Sequence, residues 1–302
     1  MKFVTFTRGG EARLGVHRDA DEILDLTGRS GGDPVFGSLL SLIDGGPAAL
    51  AQARKWADDT ATDHTSSEYL CHTADVTLLA PIPRPRKNVF CVGMNYRSHI
   101  EQNAQALDLL VEIPEIPLFF SKPVTAVVGP GAPIVLDPRL TAKLDYEAEL
   151  TMIIGRGGTW ISEADAPGHI FGYTLVNDVS ARDLQLRTSQ FFYGKGQDTY
   201  CPLGPAVVTA DEIGDLTAIT TELLVNGEVR QQESAGNMLF SPAAVIAWLS
   251  QGITLEPGDV ITLGTPGGCG YQMAPPVFLA DGDVVECRAT GIGSLINPVT
   301  AI

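Results

Sequence analysis

The chain has 302 residues, of which 44% are hydrophobic, so it can bury the core of one large or two modest domains. Its formal net charge of −16 argues against nucleic acid and anionic membranes as partners, because both would repel it. The 32 glycines, 20 prolines and few aromatic residues favour a β-rich fold over a helical bundle.

The five cysteines are scattered and never adopt a CxxC spacing, which indicates reduced thiols and neither a disulfide framework nor a zinc cluster. The first ten residues, MKFVTFTRGG, contain no long apolar segment. An uninterrupted run of about 18 apolar residues, as a membrane helix requires, is absent from the sequence. We therefore expect a soluble, cytoplasmic protein.

Residues 1–80 are predicted to form a small N-terminal α+β domain. Alternating strands are expected over KFVTFTR and RLGVHRD around the turn residues GGEA, with a third strand over EILDLTG. The composition of PAALAQARKWADDT favours a helix, and TATDHTSSEY is typical of a loop. The proline-punctuated stretch LLAPIPRPRKN cannot continue a helix, so we place the domain boundary there.

Residues 81–302 are predicted to form a mostly β catalytic domain with a few helices, so the fold class is α+β. A helix is expected over MNYRSHIEQNAQALDLL, and another over SPAAVIAWLSQG with Ser241 as its N-cap. The dipeptide Asn226-Gly227 inside TELLVNGEVRQQE predicts a hairpin. Further strands are predicted over NVFCVG, PLFFSKP, PIVLD, YEAELTMIIG, FGYTLVNDVSARD, DVITLGTP and GDVVECRAT.

Two glutamates in LDYEAEL, Glu147 and Glu149, are expected about 7 Å apart on one face of a strand, where they repel each other. The solvated face of an edge strand is their simplest explanation. However, the apolar continuation TMIIG indicates a strand that enters the core, and Asp178 follows another apolar run. Three carboxylates on neighbouring strands form an all-oxygen site that suits Mg²⁺ or Mn²⁺ better than zinc.

Six stretches occur in this order along the chain: GMNYRSH, DYEAELTMIIGR, GYTLVNDVSARDLQ, GKGQDTYCPLGP, LVNGEVRQ and GDVITLGTPGGCG. Together they resemble the fumarylacetoacetate hydrolase family in sequence and order. The resemblance covers about residues 85–300 and implies a mixed β-roll, barrel-like catalytic domain, often dimeric, with the active site at its open end. It also implies that Glu147, Glu149 and Asp178 bind Mg²⁺ or Mn²⁺.

The resemblance assigns roles to further polar residues. Lys195 matches the active-site lysine of the family, although a lone lysine is usually solvated. Arg182 and Gln185 match positions that hold the substrate carboxylate, while a salt bridge to the adjacent Asp183 is the ordinary alternative for Arg182. Thr265 matches a threonine at the substrate's carboxylate end and would otherwise lie in a Gly/Pro turn. A further substrate-binding candidate is Lys122.

His99 matches the family's catalytic histidine on a lid segment, predicted from Ser98 to about Pro117 and mobile without ligand. Hydrolytic members commonly carry a glutamate three residues later, where this chain has Gln102, with Glu101 beside it. Helical spacing predicts that Gln102 shares the face of His99, while Glu101 lies on another face. We expect Cys269 to be a small buried residue, and structural or surface roles for His17, His64, His72 and His169.

The main functional hypothesis is a metal-dependent hydrolase that cleaves a C–C bond in a 2,4-dioxo acid of the acylpyruvate or fumarylpyruvate type and releases pyruvate or a related 2-oxo acid. His99, with Gln102 or Glu101, would activate water, and Lys195 would stabilise the leaving enolate. The alternative is decarboxylation or keto–enol isomerisation of an oxaloacetate-like or unsaturated oxo-diacid. A non-catalytic binding homologue is a third class. We expect a small-molecule oxo acid as substrate and a homodimer or higher homo-oligomer.

Overall fold

The computed structural model describes residues 1–19, 21–59 and 68–302. The predicted loop over residues 60–69 falls almost entirely outside this part of the chain, as does His64. The helices are α1 Leu26–Arg29, α2 Leu39–Asp44, α3 Gly46–Asp59, α4 Arg97–Leu107, α5 Arg182–Gln185, α6 Phe192–Lys195, α7 Ala210–Ile213 and α8 Pro242–Leu249.

Strands outnumber these helices and carry the fold. They are β1 Lys2–Arg8, β2 Glu11–His17, β3 Glu22–Asp25, β4 Leu70–His72, β5 Thr77–Leu79, β6 Val89–Gly93, β7 Leu118–Lys122, β8 Val127–Val128, β9 Ile134–Leu136, β10 Leu144–Asp145, β11 Ala148–Ile154, β12 Ile170–Asn177, β13 Ser180–Ala181, β14 Cys201–Thr209, β15 Thr220–Val225, β16 Glu228–Ser234, β17 Val260–Thr262, β18 Val284–Ala289 and β19 Gly293–Ala301.

The strands form two principal mixed sheets and one short pair. The larger sheet has the order β4-β3-β2-β1-β14-β12-β11-β17-β6-β7, with β5 on β1 and β8 on β14. The second sheet has the order β16-β15-β18-β19-β9, and β10 pairs with β13. The α+β, mostly β class is therefore confirmed. The described strands do not close into a barrel, because β4 and β7 remain as opposite edges of the larger sheet.

The N-terminal strands continue the larger sheet, since β1 pairs antiparallel with β14 through Lys2↔Val208 and Phe3↔Val207. One hydrophobic cluster joins the two parts of the chain, with Phe3 and Leu14 from the first and Ile153 from the second. The boundary near residue 80 stays a prediction, but residues 1–80 share both hydrogen bonds and core with the remainder of the chain.

The structure confirms a hairpin and a helix start that were predicted from local sequence signals. Asn226 and Gly227 adopt positive φ values of 53° and 82°, the backbone of a two-residue hairpin turn between β15 and β16. The Ser241 side chain accepts a hydrogen bond from the backbone N–H of Ala244 at the start of α8. The final strand, β19, pairs with β18 and was not among the predicted strands.

All five cysteines are buried and free. Among the described helices, none combines the length and the apolar character that a membrane crossing requires.

Candidate metal centre and active site

The three predicted carboxylates converge where β11 begins and β12 ends. These strands pair antiparallel with Ala148 opposite Asn177, and the backbone N–H of Asp178 donates to the carbonyl of Glu147 at 2.8 Å. One oxygen from each of Glu147, Glu149 and Asp178 lies within 4.8 Å of the others, and all three residues are buried. The solvated-edge explanation is therefore excluded for both glutamates.

The two glutamates have opposite electrostatic surroundings. Burial alone would raise the pKa of Glu147, but the nearby Lys195 and Arg182 outweigh it and hold this pKa well below its usual range. Burial, followed by repulsion from Asp178 and Glu147, raises the pKa of Glu149 well above its ordinary value. No lysine or arginine pairs with Glu149 among the described residues. Glu149 is thus the carboxylate that lacks a compensating charge.

Lys195 stands among these carboxylates at the end of α6. Its Nζ lies 2.8 Å from Oε2 of Glu147 and 2.5 Å from Oδ2 of Asp178. Burial lowers the pKa of Lys195, but the two carboxylates outweigh burial and raise it, so the side chain keeps its proton. The preceding Gly194 permits this position, because a Cβ there would lie 2.5 Å from the backbone nitrogen of Gln185. The expectation of a solvated Lys195 is thereby excluded.

The buried position of Lys122 does not fit the predicted contact with substrate. Its side chain is 0% exposed, and its Nζ lies 2.6 Å from Oδ1 of Asp178. The same ammonium donates to the carbonyl oxygens of Val179 at 3.1 Å, Tyr200 at 2.7 Å and Lys195. These acceptors occupy the ammonium, so the geometry favours a role in holding Asp178 over direct contact with substrate.

Arg182 is fully buried and does not pair with Asp183. Its Nε donates to Oδ2 of Asp145 at 2.8 Å, and a terminal nitrogen lies 2.7 Å from Oε1 of Glu147. Its guanidinium also stacks 4.2 Å from the ring centre of Tyr271. The side chain of Asp183 instead accepts from Thr141. Because Asp145 and Glu147 already bind the guanidinium, the position of Arg182 favours a role in holding Glu147 in place over direct contact with a substrate carboxylate.

Asp145 is an important residue that the sequence reasoning missed. Besides Arg182, its carboxylate accepts from the backbone N–H groups of Gly270 at 2.8 Å and Tyr271 at 3.2 Å. It therefore ties the loop 264–271 to the start of the metal-binding strand. An aspartate two residues before Glu147, in a stretch predicted to be buried, was the available signal for such a role.

His99 lies buried on α4 with unexpected partners. Its Nδ1 lies 3.2 Å from Nε2 of Gln272 and 3.7 Å from Sγ of Cys269. The predicted partner Gln102 instead accepts from the backbone N–H of Gly268 at 2.7 Å, and Glu101 is exposed near Arg97. Neither Gln102 nor Glu101 therefore contacts the imidazole. The residue that does is Gln272, which the sequence did not single out.

The protonation of His99 follows from its burial. Removal from water lowers its pKa to about 4, although the negative charge of Glu147 opposes this change. The imidazole is therefore neutral at pH 7. Buried Cys269 fits the expectation of a small apolar residue, and its thiol separates His99 from Glu147, with Sγ 4.0 Å from Oε1 of the glutamate.

A cavity of about 500 Å³ opens onto the carboxylates. At its polar end lie His99, Glu147, Glu149, Gln185, Lys195 and Thr265. Thr265 is held in place because its hydroxyl donates to the carbonyl of Ala148 and accepts from Nε2 of Gln231. The oxygen of the Gln185 side chain accepts from Arg182. Of the predicted substrate contacts, the structure therefore brings Gln185 and Thr265, but not Arg182 or Lys122, to the cavity wall.

Much of the remaining cavity wall is apolar and comes from the predicted lid. Leu107, Leu110 and Ile113 of the lid line it together with Leu118 of β7, and Leu110 is 86% exposed to solvent. The segment after α4 up to Pro117 has no regular helix or strand. An exposed apolar segment beside a polar site can shield that site from water when it closes, and mobility of this segment stays a prediction.

The carboxylate cluster fits a divalent cation on its own chemistry. All three donors are oxygens, which hard ions such as Mg²⁺ and Mn²⁺ prefer. Burial and the neighbouring carboxylates disfavour the charged form of Glu149. A bound cation would provide the positive charge that stabilises it. The triad could therefore bind a divalent metal ion.

Comparison with known proteins agrees with this geometry. Residues 88–300 match the family model described as fumarylacetoacetate (FAA) hydrolase C-terminal. The chain is 41% identical over 306 residues to oxaloacetate tautomerase YisK of Bacillus subtilis, covering 99% of this chain and all of the relative.

Solved structures of similar proteins extend over the whole chain. A fumarylacetoacetate hydrolase from Exiguobacterium antarcticum superposes with a TM-score of 0.81 at 38% identity, with both chains fully covered. A 2-hydroxyhepta-2,4-diene-1,7-dioate isomerase from Mycobacterium marinum gives a TM-score of 0.73 at 32% identity, covering 100% of this chain and 98% of the other. Fold and site define an enzyme class built around a buried acidic triad. The chain belongs to the fumarylacetoacetate hydrolase family.

Proposed function

We propose that this enzyme interconverts the enol and keto forms of oxaloacetate or a closely related 2-oxo diacid. This is the alternative in the sequence analysis, and it replaces C–C hydrolysis as the leading hypothesis. Relatives named oxaloacetate tautomerase, one of them 41% identical over 99% of this chain, support it. A relative named as an isomerase of an unsaturated oxo-diacid supports the same class of reaction.

The observation that carries the proposal is the surroundings of His99. Hydrolysis needs a base that removes a proton from water, and a histidine in that role is normally supported by an acceptor. Among the described residues, no carboxylate lies within hydrogen-bonding distance of the imidazole, and its Nδ1 faces the amide of Gln272. Tautomerisation consumes no water and therefore does not need such a base.

Lys195 is the residue we assign to the proton transfer. In the direction from enol to keto, C3 gains a proton while the enol oxygen at C2 loses one. The Lys195 ammonium gives a proton to C3 and is restored by the proton that leaves the enol oxygen, so the transfer is balanced. Its position among two carboxylates keeps it protonated between turnovers. Its positive charge also stabilises negative charge that develops on the substrate.

Other residues of the site would bind and orient the substrate. Gln185 lines the polar end of the cavity, where its NH₂ group can donate to a carboxylate, since only its oxygen is engaged by Arg182. Thr265 lines the same end, with its hydroxyl hydrogen donated to the carbonyl of Ala148. Glu147, Glu149 and Asp178 would hold the cation, for which we propose Mg²⁺ or Mn²⁺. When bound, such an ion polarises the 2-oxo group and stabilises enolate charge.

The apolar wall of the cavity keeps a second candidate open. The cleavage of an acylpyruvate, our first hypothesis, would place an apolar acyl group against Leu107, Leu110 and Ile113. Decarboxylation of oxaloacetate would use the same charge stabilisation as tautomerisation.

We also propose that the protein forms a homodimer or a higher homo-oligomer.

One experiment separates these reactions. The protein, loaded with Mn²⁺, is mixed with the enol form of oxaloacetate, and the loss of enol absorbance is followed together with release of CO₂ and of pyruvate. A panel of acylpyruvates is assayed in parallel. Rapid enol loss without CO₂, and little cleavage of acylpyruvates, is the expected result.

Lys195→Met tests the assigned proton carrier in the same assay, with the exposed Lys55→Met on α3 as matched control. We expect about 100-fold slower tautomerisation or more in Lys195→Met, since general acid–base catalysis typically contributes about 10²- to 10⁴-fold. Cleavage of acylpyruvates that outpaces enol conversion by the wild-type enzyme would return hydrolysis to first place.

A further inference from the structure

The side-chain amide of Gln272 has a fixed orientation. Its Oε1 accepts hydrogen bonds from the backbone N–H groups of Gly268 and Cys269, each at 2.9 Å. Backbone N–H groups can only donate, so the atom that faces them must be the amide oxygen. The NH₂ group of Gln272 consequently points in the other direction, toward α4.

The two hydrogens of that NH₂ group meet acceptors on α4. The first hydrogen is donated to the side-chain oxygen of Asn103, which lies 2.5 Å from Gln272 Nε2. The second points toward the carbonyl oxygen of His99 and His99 Nδ1, which lie 3.3 Å and 3.2 Å from the same nitrogen. The Tyr271 hydroxyl also donates to that Asn103 oxygen. Asn103 therefore acts as an acceptor for two donors, and its own amide orientation is fixed as well.

The nitrogen of His99 that faces Gln272 must then be an acceptor. A hydrogen on Nδ1 would oppose the N–H of Gln272 across 3.2 Å. The thiol of Cys269 at 3.7 Å can donate or accept, so it is compatible with either tautomer. A neutral imidazole carries one hydrogen, which is left for Nε2.

We propose that Gln272 is a positioning residue that fixes His99 in its Nε2–H tautomer, so that His99 serves the reaction as a neutral hydrogen-bond donor and not as a base. The inference rests on the proposed function for its catalytic consequence, while the tautomer itself follows from the contacts of Gln272. A neutral N–H can stabilise oxygen charge that develops in an enolate. It has no lone pair on Nε2 with which to take a proton from water.

Two glutamines bind the loop beside His99, but only Gln272 also contacts the imidazole. Gln102 binds the same loop, through the N–H of Gly268, but has no hydrogen bond to the imidazole. A carboxylate at 272 would keep the oxygen that accepts from Gly268 and Cys269. Once the Asn103 amide turns its NH₂ group toward this carboxylate, in place of the oxygen that now faces Gln272, the second carboxylate oxygen would accept from His99 Nδ1–H. This moves the lone pair to Nε2 and creates a histidine–carboxylate pair.

The tautomer can be measured without any assay of activity. The full chain is labelled with ¹⁵N-histidine, and His99 signals are identified as those absent from His99→Gln. Nitrogen shifts at pH 7 distinguish Nε2–H from Nδ1–H. We expect Nε2–H in wild type and in the control Gln105→Glu, which changes an exposed glutamine of the same helix. Gln272→Glu should show Nδ1–H, and Gln272→Met should show a mixture of both tautomers.

Kinetics of the Mn²⁺-loaded variants supply the second readout. Gln272→Glu should tautomerise enol oxaloacetate about 10- to 100-fold more slowly, because a donor to developing charge is lost. It should also cleave an acylpyruvate at least about 10-fold faster than wild type, because His99 becomes a base.

The two readouts separate failure of this inference from failure of the proposed function. Nδ1–H in wild type, or the same tautomer in wild type and Gln272→Met, would overturn the role of Gln272. If wild type shows Nε2–H but does not convert enol oxaloacetate, the role of Gln272 stands and the proposed reaction fails. If Gln272→Glu does not fold, Gln272→Met alone decides between these outcomes.

Discussion

Replacing Lys122 by methionine would remove the ammonium that Asp178 shares with three backbone carbonyl oxygens. Methionine keeps most of the length and the apolar stem of lysine, so the change is mainly electrostatic. Both members of the Lys122–Asp178 pair are fully buried, and solvent does not screen their attraction. Removing one member of a buried ion pair costs about 3–5 kcal/mol when the other charge is left buried without a partner. Asp178 keeps the Lys195 ammonium at 2.5 Å, so we expect the lower end of this range, a fall of about 3 kcal/mol in the free energy of unfolding.

Denaturant unfolding followed by circular dichroism measures this loss. The exposed Lys55→Met on α3 is the matched control and should change the free energy of unfolding by less than about 0.5 kcal/mol. The double variant Lys122→Met/Asp178→Asn should regain about 1 kcal/mol relative to Lys122→Met, since the carboxylate that lost one of its two partners is gone while Lys195 keeps Glu147. A Lys122→Met protein within about 1 kcal/mol of wild type, but with a raised KM, would refute the structural role and favour contact with substrate.

Three further predictions concern the site. Glu147→Gln should weaken binding of Mn²⁺ at least about tenfold by titration calorimetry while the protein stays folded, and unchanged affinity would remove Glu147 from the ligand set. Since burial holds the pKa of His99 at about 4, below its ordinary 6.5, only the unfolded chain binds this proton between those pH values. The free energy of unfolding should therefore fall by about 3 kcal/mol from pH 7 to pH 4, and His99→Leu should lack that part of the slope. Backbone amides from Ser98 to Pro117 should exchange more slowly with Mn²⁺ and oxalate than with Mn²⁺ alone; equal rates would indicate a fixed segment.

Part of this structure could be predicted because its determinants are local. The hairpin at Asn226-Gly227 needs two residues that tolerate positive φ, and the start of α8 needs the Ser241 side chain. The proximity of Glu147, just before β11, and Glu149 within it likewise needs no distant information. Asp178 follows another apolar run, which predicts a neighbouring strand, and pairing of β11 with β12 brings it beside the glutamates.

The partners of the charged residues could not be read from the sequence, because they are separated by long stretches of chain. Helical spacing predicts Gln102 on the same face of α4 as His99. Its side chain accepts a hydrogen bond from the loop 264–271, however, and does not contact the imidazole. Gln272 reaches the imidazole from 173 residues away, and nothing in its neighbours signals that contact. Arg182 similarly prefers Asp145, 37 residues away, to the adjacent Asp183.

The lysines inside the acidic cluster bear on how the protein responds to a changing supply of metal. In small zinc domains the ion provides the folding energy, so its loss unfolds the chain. Here Lys195 and Lys122 are permanent parts of the chain and neutralise buried carboxylates from within. A molecule built in this way would remain folded without a bound ion, so that an ion could enter or leave the acidic cluster without unfolding the chain.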